Sequence, residues 1–182
     1  MELNLGFLIA VLVRLVVPLS IFRWPLAGGS ASLAVDAVDI YVAKAFGGFI
    51  PSYTPVDKYL DLYYLFFEFL VSLRWWNKLA RNTSAILFAW RAAGVFVFQV
   101  FSLQYFLFLA PNIFENFFLF YLILLKARIE RRDKIWLNSA KRLLLVLILL
   151  WLVKIPQELI LHVFGIKAPV GYFFPNAPEF FR

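Results

Sequence analysis

Apolar runs long enough to cross a bilayer follow one another along nearly the whole chain, and this leaves little freedom in what it can fold into. The first extends from Leu5 to Phe22 and is broken only by Arg14 and Pro18. A membrane-spanning helix takes about 20 apolar residues, so about six spans with short connections use up the 182 residues and leave no room for a separate soluble domain. Composition agrees, since 63% of the residues are apolar against roughly 45–50% in a soluble domain. A soluble globular fold is excluded. The net charge of +7 does not point to nucleic acid, because the basic residues stand between the apolar runs, where Lys and Arg flank membrane spans. With no cysteine, disulfides, thiolate metal ligands and cysteine nucleophiles are excluded as well.

The expected fold class is therefore all-α, a single polytopic membrane domain over residues 1–182 with about six spans near 5–22, 31–48, 55–73, 83–103, 106–126 and 143–164. Met1 to Asn4 carry no positive charge and no small-residue cleavage site follows, so the first span is expected to stay uncleaved. Gly28-Gly29-Ser30 reads as the turn before span two. Pro55 suits the opening turn of span three. Gln104 and Pro111-Asn112 divide the stretch 83–126 into two antiparallel spans. Residues 127–142 form a basic amphipathic connector expected on an anionic membrane surface, Pro156 should kink span six, and the aromatic tail 165–182 suits the interface.

Against this background the aspartates stand out. The chain has only five, and four of them, Asp36, Asp39, Asp57 and Asp61, lie in spans two and three. The spacings i, i+3 and i, i+4 put each pair on one helix face, and a short connection would let the faces converge. Ionised groups near the hydrocarbon cost several kcal/mol unless paired, metal-bound or wetted. Four carboxylates together need cations, and an all-oxygen cluster suits hard ions such as Mg²⁺, Mn²⁺ or Ca²⁺. Capping of helix ends and pairing with Lys44 and Lys58 is the structural alternative for the same residues.

The segment reads Asp36-x2-Asp39-Ile40-x2-Ala43-Lys44-x8-Tyr53-x3-Asp57-x3-Asp61. It resembles the D-x2-D-G-x2-A-R-x8-G-x3-D-x3-D motif of the CDP-alcohol phosphotransferases, six-span membrane enzymes, with the four aspartates and the alanine in register. Arg14 and Pro18 in span one agree with that family too. The resemblance implies transfer of a phosphoalcohol or phosphatidyl group from a CDP-linked donor to an alcohol. It implies Mg²⁺ or Mn²⁺ held by Asp36, Asp39 and Asp57, Asp61 as the base, and Lys44 facing the substrate phosphate. Membrane lipids are the implied partners, with a homodimer or a place in a larger membrane complex open. Three positions depart from the motif. Ile40 and Tyr53 replace glycines, and Lys44 keeps a charge but loses the bidentate fork of arginine.

Charge patterning implies an orientation. Arg23, then Arg74, Lys78 and Arg81, then Lys126 to Arg142 fall in alternate connections, so the excess of Lys and Arg places both termini and the 45–56 loop outside the cytoplasm. The family keeps its nucleotide site inside, so pattern and resemblance imply opposite orientations. Glu68, Arg91 and Glu115 are candidate intramembrane ion pairs, Arg91 with either glutamate, and Lys154 is expected to pair with Glu158. The single histidine, His162, reads as an interface residue. Two other functions stay open on these residues. One is a non-catalytic subunit or accessory protein of a membrane complex, and the other a small carrier using Asp57, Asp61, Glu68, Arg91 and Glu115 as a polar path.

Overall fold

A computed structural model describes residues 5–45, 53–101 and 105–158. Every regular element among the described residues is helical: α1 (Leu5–Val16), a 3₁₀ helix (Val17–Phe22), α2 (Pro25–Ala45), α3 (Tyr53–Ser72), α4 (Lys78–Phe101), α5 (Tyr105–Leu109), α6 (Ile113–Lys126) and α7 (Ala140–Glu158). The 45–56 loop lies largely outside the described residues, and His162 and the tail lie wholly outside them.

Pro18 lacks an N–H and crowds the preceding turn, and at this point α1 tightens into the 3₁₀ helix. The chain then reverses at Arg23-Trp24, whose backbone N–H groups donate to Ser20 O at 3.1 and 2.8 Å. Pro25, pre-set for a first helical turn, opens α2. The expected turn at Gly28-Gly29-Ser30 is therefore corrected: these residues lie inside α2. The glycine serves close approach instead, for a Cβ on Gly28 would stand 2.5 Å from Ile21 N and 2.7 Å from Ile21 Cα.

α3 runs back alongside, tied to α1 by Tyr63 Oη donating to Leu15 O at 3.1 Å. It meets α4 through Ser84 Oγ donating to Ser72 Oγ at 2.6 Å. α4 begins at Lys78 rather than near Thr83 because Asn77 Oδ1 accepts from the backbone N–H groups of Leu79 and Ala80 at 2.9 and 3.2 Å. The expected span 106–126 is not one continuous helix. Pro111 disfavours helical backbone at Ala110 and Asn112 caps a new helix, separating α5 from α6.

The core is aromatic. Trp75 packs on Phe118 and Tyr121 with ring centroids 5.7 and 4.2 Å away, and Phe69 stacks on Phe88 at 4.6 Å. Residues 127–139 form no helix but fold against this end of the bundle. There buried Glu130 accepts from Asn77 Nδ2 at 2.7 Å and from Leu137 N at 2.8 Å.

Leu5–Phe22, Lys78–Phe101 and Phe106–Lys126 are long and apolar enough to cross a membrane. Large apolar side chains such as Leu12, Trp90, Phe96 and Leu152 are exposed around the outside. Both features are compatible with an integral membrane protein.

Candidate functional site

Asp36 and Asp39 face inward from α2, Asp57 and Asp61 from α3, and the helical spacings bring all four around one side chain, Arg14 of α1. Its Nη1 donates to Asp39 Oδ2 and to Asp57 Oδ1, each at 2.5 Å. Nη2 donates to Asp61 Oδ1 at 2.6 Å and also to Asp36. Arg14 is only 3% exposed, as buried as Asp39 and Asp61, while the carboxylates of Asp36 and Asp57 are partly exposed. Lys58, one helix position beyond Asp57, reaches Asp57 Oδ2 and Asp61 Oδ2, both at 2.9 Å.

The cluster lies deep between the helices. At 1.5 Å per residue Asp61 stands about 16 Å from the C-terminal end of α3, close to half the helix length. Around that end Arg23, Arg74, Lys78, Lys126, Lys141 and Arg142 are exposed, where α3 and α6 finish and α2, α4 and α7 begin. The acidic site and the basic surface are thus separated along the bundle axis.

Among the described residues the aspartates outnumber the cations that reach them. Arg14 and Lys58 touch the carboxylates directly, and Arg91 Nη2 stands 3.9 Å from Asp61 Oδ2. Even with Arg91 counted, the four carboxylates exceed the described cations of the cluster by one charge. Asp36, Asp39 and Asp57 each offer a carboxylate oxygen within 4.8 Å of the other two. A donor set of carboxylate oxygens alone fits a hard divalent ion. Any such ion would compete with the Arg14 guanidinium, which bonds the same three residues.

The expected pairing of Arg91 with Glu68 or Glu115 is corrected. Arg91 Nη1 donates to the backbone oxygens of Ala110 at 2.8 Å and Leu107 at 3.4 Å, and the charge nearest its other nitrogen is Asp61. The break at Pro111 explains this, since it strips α5 of helical hydrogen bonds and leaves carbonyls that need a donor. Glu115 instead accepts from Asn112 Nδ2 at 2.8 Å and lies within electrostatic reach of Lys154. The side chains of Lys44 and Glu158 lie outside those described, so the substrate role expected of Lys44 and the pairing expected of Lys154 with Glu158 gain no geometry here.

Arg14 is the functional residue that motif reading underrated. Its signal was present: one arginine inside an otherwise apolar run must find carboxylates or free carbonyls to bond. Comparison of the chain with family models, curated proteins and solved structures returns no match.

Proposed function

We propose that this chain is a metal-dependent membrane transferase that moves a phosphoalcohol or phosphatidyl group from a CDP-linked donor to an alcohol. The observation that carries this reading is the convergence of Asp36, Asp39 and Asp57 to within 4.8 Å, with Asp61 on the same guanidinium. Four aspartates on two helices, in the spacing of the CDP-alcohol phosphotransferase motif, support the same chemistry, and the proposal includes that family's six spans.

In this reading Asp36, Asp39 and Asp57 hold Mg²⁺ or Mn²⁺. When bound, the metal supplies charge neutralisation on a diphosphate and its leaving oxygen. Asp61 accepts the proton of the incoming hydroxyl as its oxygen bonds to phosphorus and the bond to CMP breaks. Lys58 holds Asp57 and Asp61 together from one side, and Lys44 faces the phosphate. Arg14 keeps the four carboxylates assembled and must yield its place when metal enters. The charge pattern of the connections puts this site away from the cytoplasm, whereas a CDP-linked donor is cytosolic, so the reading carries a definite demand on sidedness.

The position of Arg14 favours a second reading, in which the guanidinium is the permanent partner of the aspartates and the chain is a non-catalytic subunit of a membrane complex. Purified protein with a CDP-alcohol, an alcohol acceptor and Mg²⁺ or Mn²⁺ separates the two. The transferase releases CMP, and Asp61→Asn lowers the rate by about 10²-fold or more. Absence of CMP release with every CDP-alcohol tried, together with absence of metal binding, would overturn it and leave the subunit reading.

A further inference from the structure

Between α6 and α7 the chain builds a basic turn of fixed shape. Every Lys and Arg from 126 to 142 is exposed. Of the two carboxylates in that stretch Glu130 is buried, and only Asp133 reaches the surface, where it accepts from Arg131 Nε at 3.0 Å. α6 ends as Arg128 takes a left-handed φ of 58°, and the N–H groups of Ile129 and Glu130 donate back to Leu124 O at 3.0 and 3.2 Å. The backbones of Arg131 and Lys134 then bond each other both ways, at 3.0 and 3.1 Å. This closes a turn over Arg132 and Asp133 and brings Arg131 and Lys134 alongside each other.

Buried groups pin the turn to the bundle. Glu130 holds the Asn77 amide ahead of α4 and the Leu137 N–H on the far side of the turn, and Asn77 Nδ2 also donates to Leu137 O at 3.1 Å. Arg142 Nη1 donates to Trp136 O at 3.0 Å, with its guanidinium 5.8 Å from the Trp136 ring. Each segment long and apolar enough to cross a membrane has one end here, at Phe22, Lys78 and Lys126, so in a bilayer the turn lies at headgroup depth. The first anions it meets there are lipid phosphates. Ile129 and Ile135, 45% and 38% exposed, stand among the cations. Apolar side chains beside cations match the boundary between headgroups and acyl chains, which a nucleic acid does not offer.

We propose that the turn over residues 127–139 is a preformed site for the headgroup of an anionic phospholipid. Arg131, Arg132 and Lys134 take the phosphate, Ile129 and Ile135 meet the acyl boundary, and Glu130 is the buried anchor that holds the cations in place. The site does not depend on the transferase reading. Charge alone makes any such connector adhere to an anionic surface, and the pinned turn adds a shape. Charge and shape act oppositely at Glu130. Replacing its carboxylate by an amide makes the region more positive, which favours an anionic lipid, but it also leaves the Leu137 N–H without its acceptor and loosens the turn.

The test is lipid binding to the full chain in non-ionic detergent, read by native mass spectrometry with phosphatidylglycerol or phosphatidylcholine. Phosphatidylglycerol is expected to bind in preference, and excess inorganic phosphate to leave its binding unchanged. Arg131→Gln, Arg132→Gln and Lys134→Gln combined lower that affinity about 10²-fold. The same number of cations removed off the turn, by Arg23→Gln, Arg74→Gln and Lys78→Gln combined, leaves it within about 5-fold. Glu130→Gln weakens binding about tenfold through the lost preorganisation. Equal losses from the two triple variants, or unchanged or tighter binding in Glu130→Gln, overturn the site and leave a diffuse basic surface. Absence of preference for phosphatidylglycerol, or its displacement by inorganic phosphate or an oligonucleotide, overturns the lipid as occupant. If Glu130→Gln fails to fold, the two triple variants, all at exposed positions, decide alone.

Discussion

Arg14 shows how one side chain can decide the state of a whole site. It bonds four carboxylates on two other helices, and its removal leaves them facing one another with Lys58 as their nearest described cation. Arg14→Gln should lower stability by about 3–5 kcal/mol in metal-free buffer, the usual cost of leaving buried charge uncompensated. The two functional readings part at this residue. If the aspartates are built for metal, Mg²⁺ or Mn²⁺ should restore most of the loss in Arg14→Gln, read as a rise in its unfolding midpoint. If Arg14 is their permanent partner, added metal should leave the variant as unstable as before. The motif made the aspartates legible because local helical spacing sets which of them share a face. It did not say what Arg14 bonds, since its partners lie 22 to 47 positions away.

At the scale of elements, breaks and caps matter more than the apolar pattern. Helical existence followed from the apolar runs, whereas boundaries followed from Pro18, Asn77, Pro111 and Asn112, which act through single backbone groups. Gly28 sits where α2 touches the 3₁₀ helix, so Gly28→Ala must separate backbone from backbone. That substitution should cost about 1–3 kcal/mol in unfolding experiments, although alanine is the better helix former. A change near neutral would show that the hairpin between the 3₁₀ helix and α2 is looser than the contact distances imply. A glycine pair ahead of a long apolar run reads equally well as a turn or as a packing surface. Only the neighbour across the contact distinguishes the two.

On the scale of the molecule, two charged regions are kept apart along the bundle axis. The basic residues gather where α3 and α6 end, and the aspartates lie about 16–22 Å deeper. In a membrane this separation sets which side can supply a substrate. The absence of cysteine makes sidedness directly measurable, since Ser52→Cys introduces a single thiol one position ahead of α3 in the sequence. Transfer from a cytosolic CDP-linked donor requires that an impermeant thiol reagent react only after the cells are permeabilised. Labelling in intact cells would agree with the charge pattern and sink the CDP-linked donor, leaving the subunit reading.

The sequence by itself determined an all-helical, membrane-compatible chain with two aspartate pairs, each on one helix face, because apolar run length and helical period are local properties of consecutive residues. The tertiary structure alone decided which opposite charges meet. It put Arg14 rather than a lysine at the centre, turned Arg91 to the carbonyls freed at Pro111, and seated Glu130 under Asn77 and Leu137. It also left Glu68 and Glu115 each fully buried. Such partnerships join positions far apart in the chain, and they depend on how helices cross and how deeply each side chain is desolvated, which no spacing rule contains.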